Sequence, residues 1–380
     1  MRYPEFLKKN GTIGFVAPSF GADTEPYRAC FDRAVEFFRE KGFKTLSGPN
    51  VHEGCGIGIS NTPEKCAAEL MSFYLGKSED PALSTRTTDR ESVTDEAARD
   101  TAPKTIISNV SAGTQADVLI SVGGGELMCE LLPLLDFAAI KKAPPKWYMG
   151  YSDNTNFIFP LLTLCDTAAV YGPHAGAFSM EPLDASLRDA FDIITGEKLS
   201  VSGYELWEKE SLKDADHPFV PYNLTEKSVI SMLPASSQNL SFRGRFIGGC
   251  LDCLQVLLGT PYEDVSGFLE RYKEDGFIWY LEACDLSIFA IRRALFQMRE
   301  AGWFRYAKGF LIGRPLTAMD QSYLGLDRHS AVTGILKALN VPILMDVPFG
   351  HVAPSMPIIS GAMGNVSFNH GKIRIDFELN

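Results

Sequence analysis

The stretch KWYMGYSDNTNFIFPLLTLC, residues 146–165, combines an apolar strand pattern, a short polar turn and an apolar helix pattern. A strand that passes directly into a helix is typical of parallel α/β sheets. Ser152 lies at the turn, where a nucleophile elbow would hold its hydroxyl beside the N-terminus of the helix. The stretch departs from the G-x-S-x-G form, because Asn154 occupies the last glycine position. The alternative is that Ser152 or Asp153 simply caps the helix.

Alternating strand and helix patterns extend from this stretch in both directions. Residues 12–19, 116–125 and 168–173 predict strands, whereas residues 26–42 and 62–75 predict helices. Strands that alternate with helices form parallel sheets covered by helices on both faces. The sequence therefore predicts an α/β protein whose N-terminal part is a doubly wound parallel sheet of the Rossmann/flavodoxin type.

A chain of 380 residues is long enough for two domains. We expect an N-terminal domain over residues 1–176, a connecting region over 177–240, and a C-terminal α/β domain over 241–380. The connecting region lacks strong apolar periodicity, and apolar strand patterns resume after it. The polar segment 77–104 cannot bury a core, so we expect a surface insertion there.

Charge and composition exclude several classes of partner. The net charge is −11, and phosphate binding needs a basic surface, so we expect no nucleic-acid or anionic-membrane partner. The start of the chain lacks the apolar core of a signal peptide, and no run of about 18 apolar residues is present to span a membrane. Eight scattered cysteines fit reduced thiols better than disulfides. We therefore expect a cytoplasmic protein.

A run of three glycines, Gly123–Gly125, ends a predicted strand in the same half of the chain as Ser152. A peptide N–H of this turn, together with the N–H of Asp153, would form an oxyanion hole. The dinucleotide motif G-x-G-x-x-G fails here, because Met128 occupies its last position. A tight turn that needs positive φ is the alternative for any one of these glycines.

A serine nucleophile needs a base and a carboxylate. Of the six histidines, His174 and His351 follow predicted strands, and both remain candidates for the base. Glu282 is the most conspicuous carboxylate, because it lies near the end of an apolar strand where an unpaired charge is costly. The alternative for Glu282 is a structural ion pair with Arg292 or Arg293.

Cys250 and Cys253 form a C-x-x-C pattern. A redox pair or half of a zinc site is one interpretation, but the sequence has no second pair nearby and the following residues predict a helix. Two small apolar residues on a helix face explain the pattern better.

A set of motifs along the chain resembles the LD-carboxypeptidase family of serine peptidases, over about residues 12–355. This family includes enzymes that trim murein tetrapeptides and the microcin C self-immunity peptidases. The motifs, in chain order, are APS (17–19), GG (124–125), LLPLLDF (131–137), KWYMGYSDNT (146–155), YGP (171–173), RFIGGCLDCL (245–254), LLGTPYED (257–264), YLEACD (280–285), IGRP (312–315) and PFGH (348–351).

The resemblance implies a Ser–Glu–His hydrolase whose triad is Ser152, Glu282 and His351. It also implies an oxyanion hole formed by Gly125 and Asp153. The active site would then lie between the N-terminal domain, which carries the serine, and the C-terminal domain, which carries the other two residues and closes over it. A homodimer is implied, and neither a metal nor another cofactor is expected. The expected substrate contacts are Gly124 and His174, together with Trp207 as an aromatic platform if the substrate carries a nucleobase; the alternative for Trp207 is a packed side chain.

Two departures bear on the substrate. Murein-trimming members show R-G-G-Y-G at the glycine turn, whereas this chain has V-G-G-G-E (122–126) and resembles the microcin-immunity branch more closely. Cys250 replaces the asparagine of the family's G-G-N-L motif. The resemblance therefore predicts a peptidase acting on a murein-type peptide, in peptidoglycan recycling, or on a microcin C-type peptidyl or aminoacyl nucleotide. The alternatives are an inactive ligand-binding protein on the same scaffold and a general esterase.

Overall fold

The computed structural model describes residues 1–76, 115–234 and 239–379. The predicted insertion at 77–104 lies outside these residues. The strands, in chain order, are β1 (Thr12–Val16), β2 (Lys44–Ser47), β3 (Val118–Ser121), β4 (Trp147–Gly150), β5 (Ala169–Tyr171), β6 (Ser200–Ser202), β7 (Leu206–Glu208), β8 (Leu224–Lys227), β9 (Ser231–Leu233), β10 (Asn239–Cys250), β11 (Phe277–Glu282), β12 (Ala307–Gly313), β13 (Ser322–Tyr323), β14 (Leu326–Asp327), β15 (Ile343–Val347), β16 (Ile358–Ser360), β17 (Met363–Asn369) and β18 (Lys372–Glu378).

Six of the described α-helices begin where a capping side chain accepts from a backbone N–H of the first turn. Thr62 caps its helix, with Pro63 at the first helical position, as the sequence predicts. Ser287 caps another helix through the N–H of Ala290. The α-helices are α1 (Tyr27–Glu40), α2 (Pro63–Leu75), α3 (Phe137–Lys142), α4 (Thr155–Thr163), α5 (Ala185–Thr195), α6 (Leu251–Leu257), α7 (Val265–Arg271), α8 (Ile288–Glu300) and α9 (Arg328–Leu336), and 3₁₀ turns cover Met128–Leu134, Ser152–Asn154, Ala175–Ser179 and Lys337–Leu339.

The first sheet has the strand order β16-β5-β4-β3-β1-β2, and its neighbours from β2 to β5 pair in parallel. Strands β3, β4 and β5 are buried throughout, which fits a parallel sheet covered on both faces. The order 2-1-3-4-5 is that of a flavodoxin-like doubly wound sheet, whose ligands bind at the carboxyl ends of the strands. The predicted N-terminal fold class is confirmed.

The second sheet has the order β6-β18-β17-β10-β11-β12-β15-β9. Its centre, β10-β11-β12-β15, is parallel, and antiparallel strands flank it on both sides. A β-hairpin forms near the end of the chain, because β17 pairs with β18 around His370 and Gly371, both of which have positive φ. This mixed sheet with its helices is the predicted C-terminal α/β unit.

Several elements differ from the sequence-based expectation. The connecting region contains a well-formed helix, α5, and supplies the strands β6 and β9 at the two edges of the second sheet. These two edge strands have only three residues each, too few for the alternating pattern to be visible. Among the described residues, no helix is long and apolar enough to cross a membrane.

One segment of the chain joins the two sheets. After β15, the last parallel strand of the second sheet, the chain passes through PFGH and then enters β16. Strand β16 pairs antiparallel with β5 in the first sheet, with Ile358 opposite Tyr171. The loop that carries His351 is therefore held at one end by each sheet.

Candidate active site

Ser152 lies at a sharp turn between β4 and α4, within the 3₁₀ turn that precedes the helix. Its φ of 61° is a left-handed backbone conformation that a non-glycine residue adopts at some cost. Such strain is typical of a nucleophile elbow, in which the hydroxyl is held clear of the sheet. A residue that simply caps a helix has extended backbone, and its side chain accepts a hydrogen bond from an N–H of the first turn. Ser152 has left-handed backbone, and its side chain makes no such hydrogen bond.

The Ser152 hydroxyl meets the imidazole of His351. The distance from Ser152 Oγ to His351 Nε2 is 2.8 Å, and from His351 Nδ1 to Glu282 Oε2 it is 2.7 Å. Both distances lie within hydrogen-bond range, so the three side chains form a continuous relay. Glu282 contacts neither of the arginines that the sequence offered as structural partners, within the part of the chain that the structure describes.

The relay is electrostatically coupled. Burial opposes charge on His351, but the Glu282 carboxylate, together with Cys284 and Tyr151, outweighs it and raises the pKa of His351 well above its ordinary value. Burial also opposes charge on Glu282, whereas His351 and the Tyr171 hydroxyl lower the pKa of Glu282. The carboxylate therefore stays ionised and stabilises the imidazolium that forms when the histidine takes a proton.

Tyr171, the last residue of β5, connects the two ends of the relay. Its hydroxyl donates to Glu282 Oε1 at 2.5 Å and accepts from the peptide N–H of Ser152 at 3.2 Å. Burial raises the pKa of Tyr171 well above its ordinary value, so the hydroxyl keeps its proton and remains a donor. Sequence reasoning missed this role. The available signal was a hydroxyl at the end of a buried strand, within the YGP motif.

The glycine turn after β3 lies close to Ser152. A Cβ on Gly124 would lie 3.4 Å from Ser152 Oγ, and a Cβ on Gly125 would lie 2.1 Å from Ser19 Oγ. None of the three glycines has positive φ, so close approach and not turn conformation requires glycine here. The peptide N–H groups of Gly124 and Gly125 make no hydrogen bond to other described residues. They are therefore free to donate to a ligand.

The side chain of Asp153 holds the surrounding loops together. Its Oδ2 accepts from Ser19 Oγ at 2.6 Å and from the N–H of Met128 at 2.9 Å, and its Oδ1 accepts from Asn156 Nδ2 at 2.8 Å. Burial raises the pKa of Asp153, and these donors act in the opposite direction. The APS loop, the glycine turn and the elbow are thereby fixed relative to one another.

His174 supports the elbow through Tyr151 and Asn154. Its ring stacks on Tyr151 with centroids 4.3 Å apart, and its Nε2 can accept from the N–H of Tyr151 at 3.4 Å and from Asn154 Nδ2 at 3.3 Å. Burial lowers the pKa of His174 to about 3, so the ring is neutral. The structure thus separates the two candidate histidines, because His351 and not His174 contacts Ser152 Oγ.

The C-terminal sheet reaches the elbow through the glycines of its GGCL motif. A Cβ on Gly249 would lie 2.7 Å from the Thr155 side chain at the start of α4. The next residue, Cys250, donates its N–H to Thr155 Oγ1 at 3.1 Å. The Cys250 sulfur also lies near Glu282 and His351. The sulfur, a carboxylate oxygen of Glu282 and a ring nitrogen of His351 all lie within 4.8 Å of one another.

Trp207 lies in the short strand β7, beside the loop that carries His351. Its ring faces the Arg314 guanidinium at 5.4 Å, and its Nε1 donates to the carbonyl of Lys227 at 3.2 Å. The next residue, Glu208, donates its N–H to the carbonyl of Ala353 at 2.8 Å. Within the described residues, Trp207 makes no hydrogen bond or ring contact with the relay.

Comparison with known families gives two matches along the chain. Residues 81–172 match the model for the LD-carboxypeptidase N-terminal domain, and residues 243–366 match the model for the LD-carboxypeptidase C-terminal domain. The two models together contain Ser152, Tyr171, Glu282 and His351.

Individual relatives are similar over nearly their whole length. The microcin C7 self-immunity protein MccF of Escherichia coli is 23% identical over 381 residues, which cover 97% of this chain and 94% of that protein. A solved structure of MccF in complex with glutamyl sulfamoyl guanosine has a TM-score of 0.73 at 21% identity and covers 99% of this chain and 98% of that one. An MccF-like protein from Bacillus anthracis has a TM-score of 0.72 at 19% identity, with 100% of both chains covered.

Proposed function

The chain belongs to the LD-carboxypeptidase family, and on that premise we propose that it is a serine peptidase with Ser152, Glu282 and His351 as its catalytic triad. The observation that carries the proposal is the continuous hydrogen-bonded relay from Ser152 Oγ through His351 to Glu282. The strained backbone of Ser152 and the buried position of Glu282 support it further.

In the first step, Ser152 Oγ attacks the carbonyl carbon of the scissile amide while His351 Nε2 takes the hydroxyl proton. Glu282 accepts a hydrogen bond from Nδ1–H and stabilises the resulting imidazolium. The negative charge that develops on the carbonyl oxygen is held by the peptide N–H groups of Gly125 and Asp153.

In the second step, His351 gives its proton to the leaving amine, and an acyl-enzyme remains on Ser152. Water then attacks this ester with His351 again as the base. Collapse of the second tetrahedral intermediate releases the carboxylic acid and restores the Ser152 hydroxyl. The chemistry needs no metal ion, so activity is expected to persist in EDTA.

The substrate proposal is a small peptide or aminoacyl conjugate, either a murein-type peptide or a microcin C-type peptidyl or aminoacyl nucleotide. The ligand of the MccF structure, an aminoacyl sulfamoyl nucleoside, supports the second class. Gly124 and His174 are proposed to contact the substrate beside Ser152, and the free face of Trp207 is proposed to pack on the nucleobase. We further propose a cytoplasmic homodimer, which size-exclusion chromatography with light scattering would test.

The test is a competition assay read by mass spectrometry. Purified protein, with Ser152→Ala as the control, is incubated with a murein-type tetrapeptide and a microcin-type aminoacyl nucleotide in one tube containing EDTA. Loss of the terminal D-alanine would assign the protein to peptidoglycan recycling, whereas cleavage of the nucleotide amide alone would assign it to microcin immunity.

Two results would overturn the triad. Ser152→Ala with substantial activity would exclude Ser152 as the nucleophile, since loss of a triad serine costs about 10⁶-fold in kcat in a comparable hydrolase. Cleavage of neither amide by folded protein, with ligand binding retained in Ser152→Ala, would instead favour a binding protein. Ester turnover far above amide turnover would identify a general esterase.

A further inference from the structure

The residue that departs from the family asparagine, Cys250, adds a thiol to the relay. We propose that Cys250, Glu282 and His351 form a Zn²⁺-binding site, and that the bound ion blocks the relay. The binding part of this proposal stands independently of the proposed function, whereas the inhibitory part rests on it.

Strand register places the thiol beside the carboxylate. Cys250 is the last residue of β10, Glu282 is the last residue of β11, and the two pair directly in a parallel ladder. Neighbouring strands lie about 4.8 Å apart, so two side chains in register at the same sheet end are adjacent. His351 reaches the same point from the loop after β15, with Nδ1 at 2.7 Å from Glu282 Oε2.

The three ligand atoms are already close to the spacing that zinc needs. One atom from each side chain lies within 4.8 Å of the other two. A tetrahedral Zn²⁺ with bonds of about 2.0–2.3 Å holds its ligand atoms roughly 3.3–3.7 Å apart. For zinc to bind, side-chain rotations must therefore separate the carboxylate and imidazole by roughly 0.6 Å and bring the sulfur closer.

The donor set and its charge also fit zinc. A thiolate, an imidazole and a carboxylate together favour Zn²⁺ over Mg²⁺ or Ca²⁺, which prefer oxygen ligands alone. Three protein ligands leave the fourth tetrahedral position for water. The two anionic ligands neutralise the divalent ion, which matters because Cys250 and Glu282 are each only 1% exposed.

Zn²⁺ binding changes the protonation states of the relay residues. The Cys250 thiol releases its proton to solvent when the sulfur binds the ion. The imidazole proton leaves Nδ1, the nitrogen nearest Glu282, and moves to Nε2. Nε2–H can no longer accept the proton of Ser152, and Glu282 no longer orients the ring. The ion would therefore inhibit by taking two of the three catalytic groups.

Direct binding is the first measurement, and it requires no substrate. The protein as purified, after EDTA treatment and buffer exchange, is titrated with Cd²⁺, whose thiolate complexes show an ultraviolet charge-transfer band, and then with Zn²⁺ as competitor. We expect one equivalent to bind with the band, and Zn²⁺ to abolish it. Cys250→Ser should lose the band and bind Zn²⁺ more than about 100-fold more weakly, since lost outer partners alone cost about 10- to 100-fold.

Control variants separate this site from other thiols. Cys165→Ser replaces another buried thiol, which bonds to the carbonyl of Phe137, and should leave binding unchanged. Cys284 also lies next to His351, so Cys284→Ser tests whether the wrong sulfur has been assigned. A band retained in Cys250→Ser, or lost in Cys284→Ser alone, would overturn the proposal. Cys250→Asn, which carries the family residue, provides a second variant if Cys250→Ser does not fold.

Inhibition is measured separately with the substrate that the protein cleaves. Zn²⁺ should inhibit the wild type at concentrations at least about ten-fold below those needed for Cys250→Asn, because the asparagine supplies no thiolate ligand. Equal inhibition of both would overturn the inhibitory part while leaving the binding result intact. Absence of any cleavage would count against the proposed function and not against the metal site.

Discussion

Replacing Tyr171 with phenylalanine tests whether the nucleophile and the carboxylate are coupled through a single hydroxyl. The substitution keeps the buried ring but removes the donor to Glu282 Oε1 at 2.5 Å and the acceptor for the Ser152 N–H at 3.2 Å. Because Tyr171 does not contact the reacting atoms in this scheme, it is a positioning residue and should affect kcat more than KM.

The expected size follows from the hydrogen bond to a buried carboxylate. A hydrogen bond to a charged group contributes about 1.5–3 kcal/mol, and each 1.4 kcal/mol is about ten-fold in rate. We therefore expect kcat to fall by about 10- to 150-fold. Without the Tyr171 donor, the Glu282 charge attracts the imidazolium more strongly, so the limb of the pH–rate profile due to His351 should move to higher pH.

The assay is steady-state cleavage of the identified amide substrate between pH 5 and 10, with circular dichroism to establish folding. Tyr280→Phe is the matched control. Tyr280 is also buried and packs 5.5 Å from the Tyr171 ring, but among the described residues its hydroxyl makes no hydrogen bond to the relay. Tyr280→Phe should therefore keep nearly full activity. If Tyr171→Phe also stayed within two-fold of the wild type, with an unmoved pH limb, the coupling role would be refuted.

Two further predictions concern protonation. Since the pKa of His351 is raised by Glu282, kcat/KM should fall as the pH drops through a limb that lies above the ordinary histidine pKa of 6.5. In a pH–rate profile, Glu282→Gln should move that limb to lower pH. A limb that does not move would exclude the coupling. Burial of Glu69, whose oxygens accept from the N–H groups of Ala17 and Asn50 at 2.6 Å each, raises its pKa to about 7 from 4.5. A raised pKa in the folded state contributes stability below pH 4.5 that is lost as the pH rises through 7. In denaturant unfolding, the free energy of unfolding of the wild type should therefore fall by about 3 kcal/mol over this window, and Glu69→Gln should lack this fall. Parallel curves of unfolding free energy against pH for the two proteins would contradict the shift.

Much of the fold was predictable from local patterns. The strand-turn-helix at 146–165 and the alternation around it specify a parallel sheet, because buried strands and amphipathic helices have different apolar periods. The sequence could not indicate that β16 returns to the first sheet. A three-residue buried strand has no pattern of its own, and its partner β5 lies almost 190 residues away in the chain.

Some residues of the candidate site could also be predicted from local patterns, and others could not. Ser152 is visible because it lies at a strand-to-helix turn, and Glu282 is visible because a charge in an apolar strand conflicts with its local surroundings. His351 could be separated from His174 only by the resemblance, since both follow strands. Tyr171 gave no such conflict, because tyrosine is common in buried strands. Its role depends on the spacing of two sheets, which no local pattern encodes.

The path of the chain between the two sheets explains how His351 is held beside Ser152 and Glu282. Gly350, with a φ of 98°, turns the loop so closely over Glu282 that a Cβ there would lie 2.6 Å from Oε2. Its N–H bonds to Ser355 Oγ at 2.9 Å, and β16 then anchors the chain opposite Tyr171. His351 is thus fixed from the second sheet on one side and from the first on the other. A movement that separated the sheets would have to stretch the residues between His351 and β16, or break the β5–β16 pairing, before it could separate His351 from Ser152. Substrate binding should therefore rearrange the walls of the site, such as the strand that carries Trp207, and leave the relay in place.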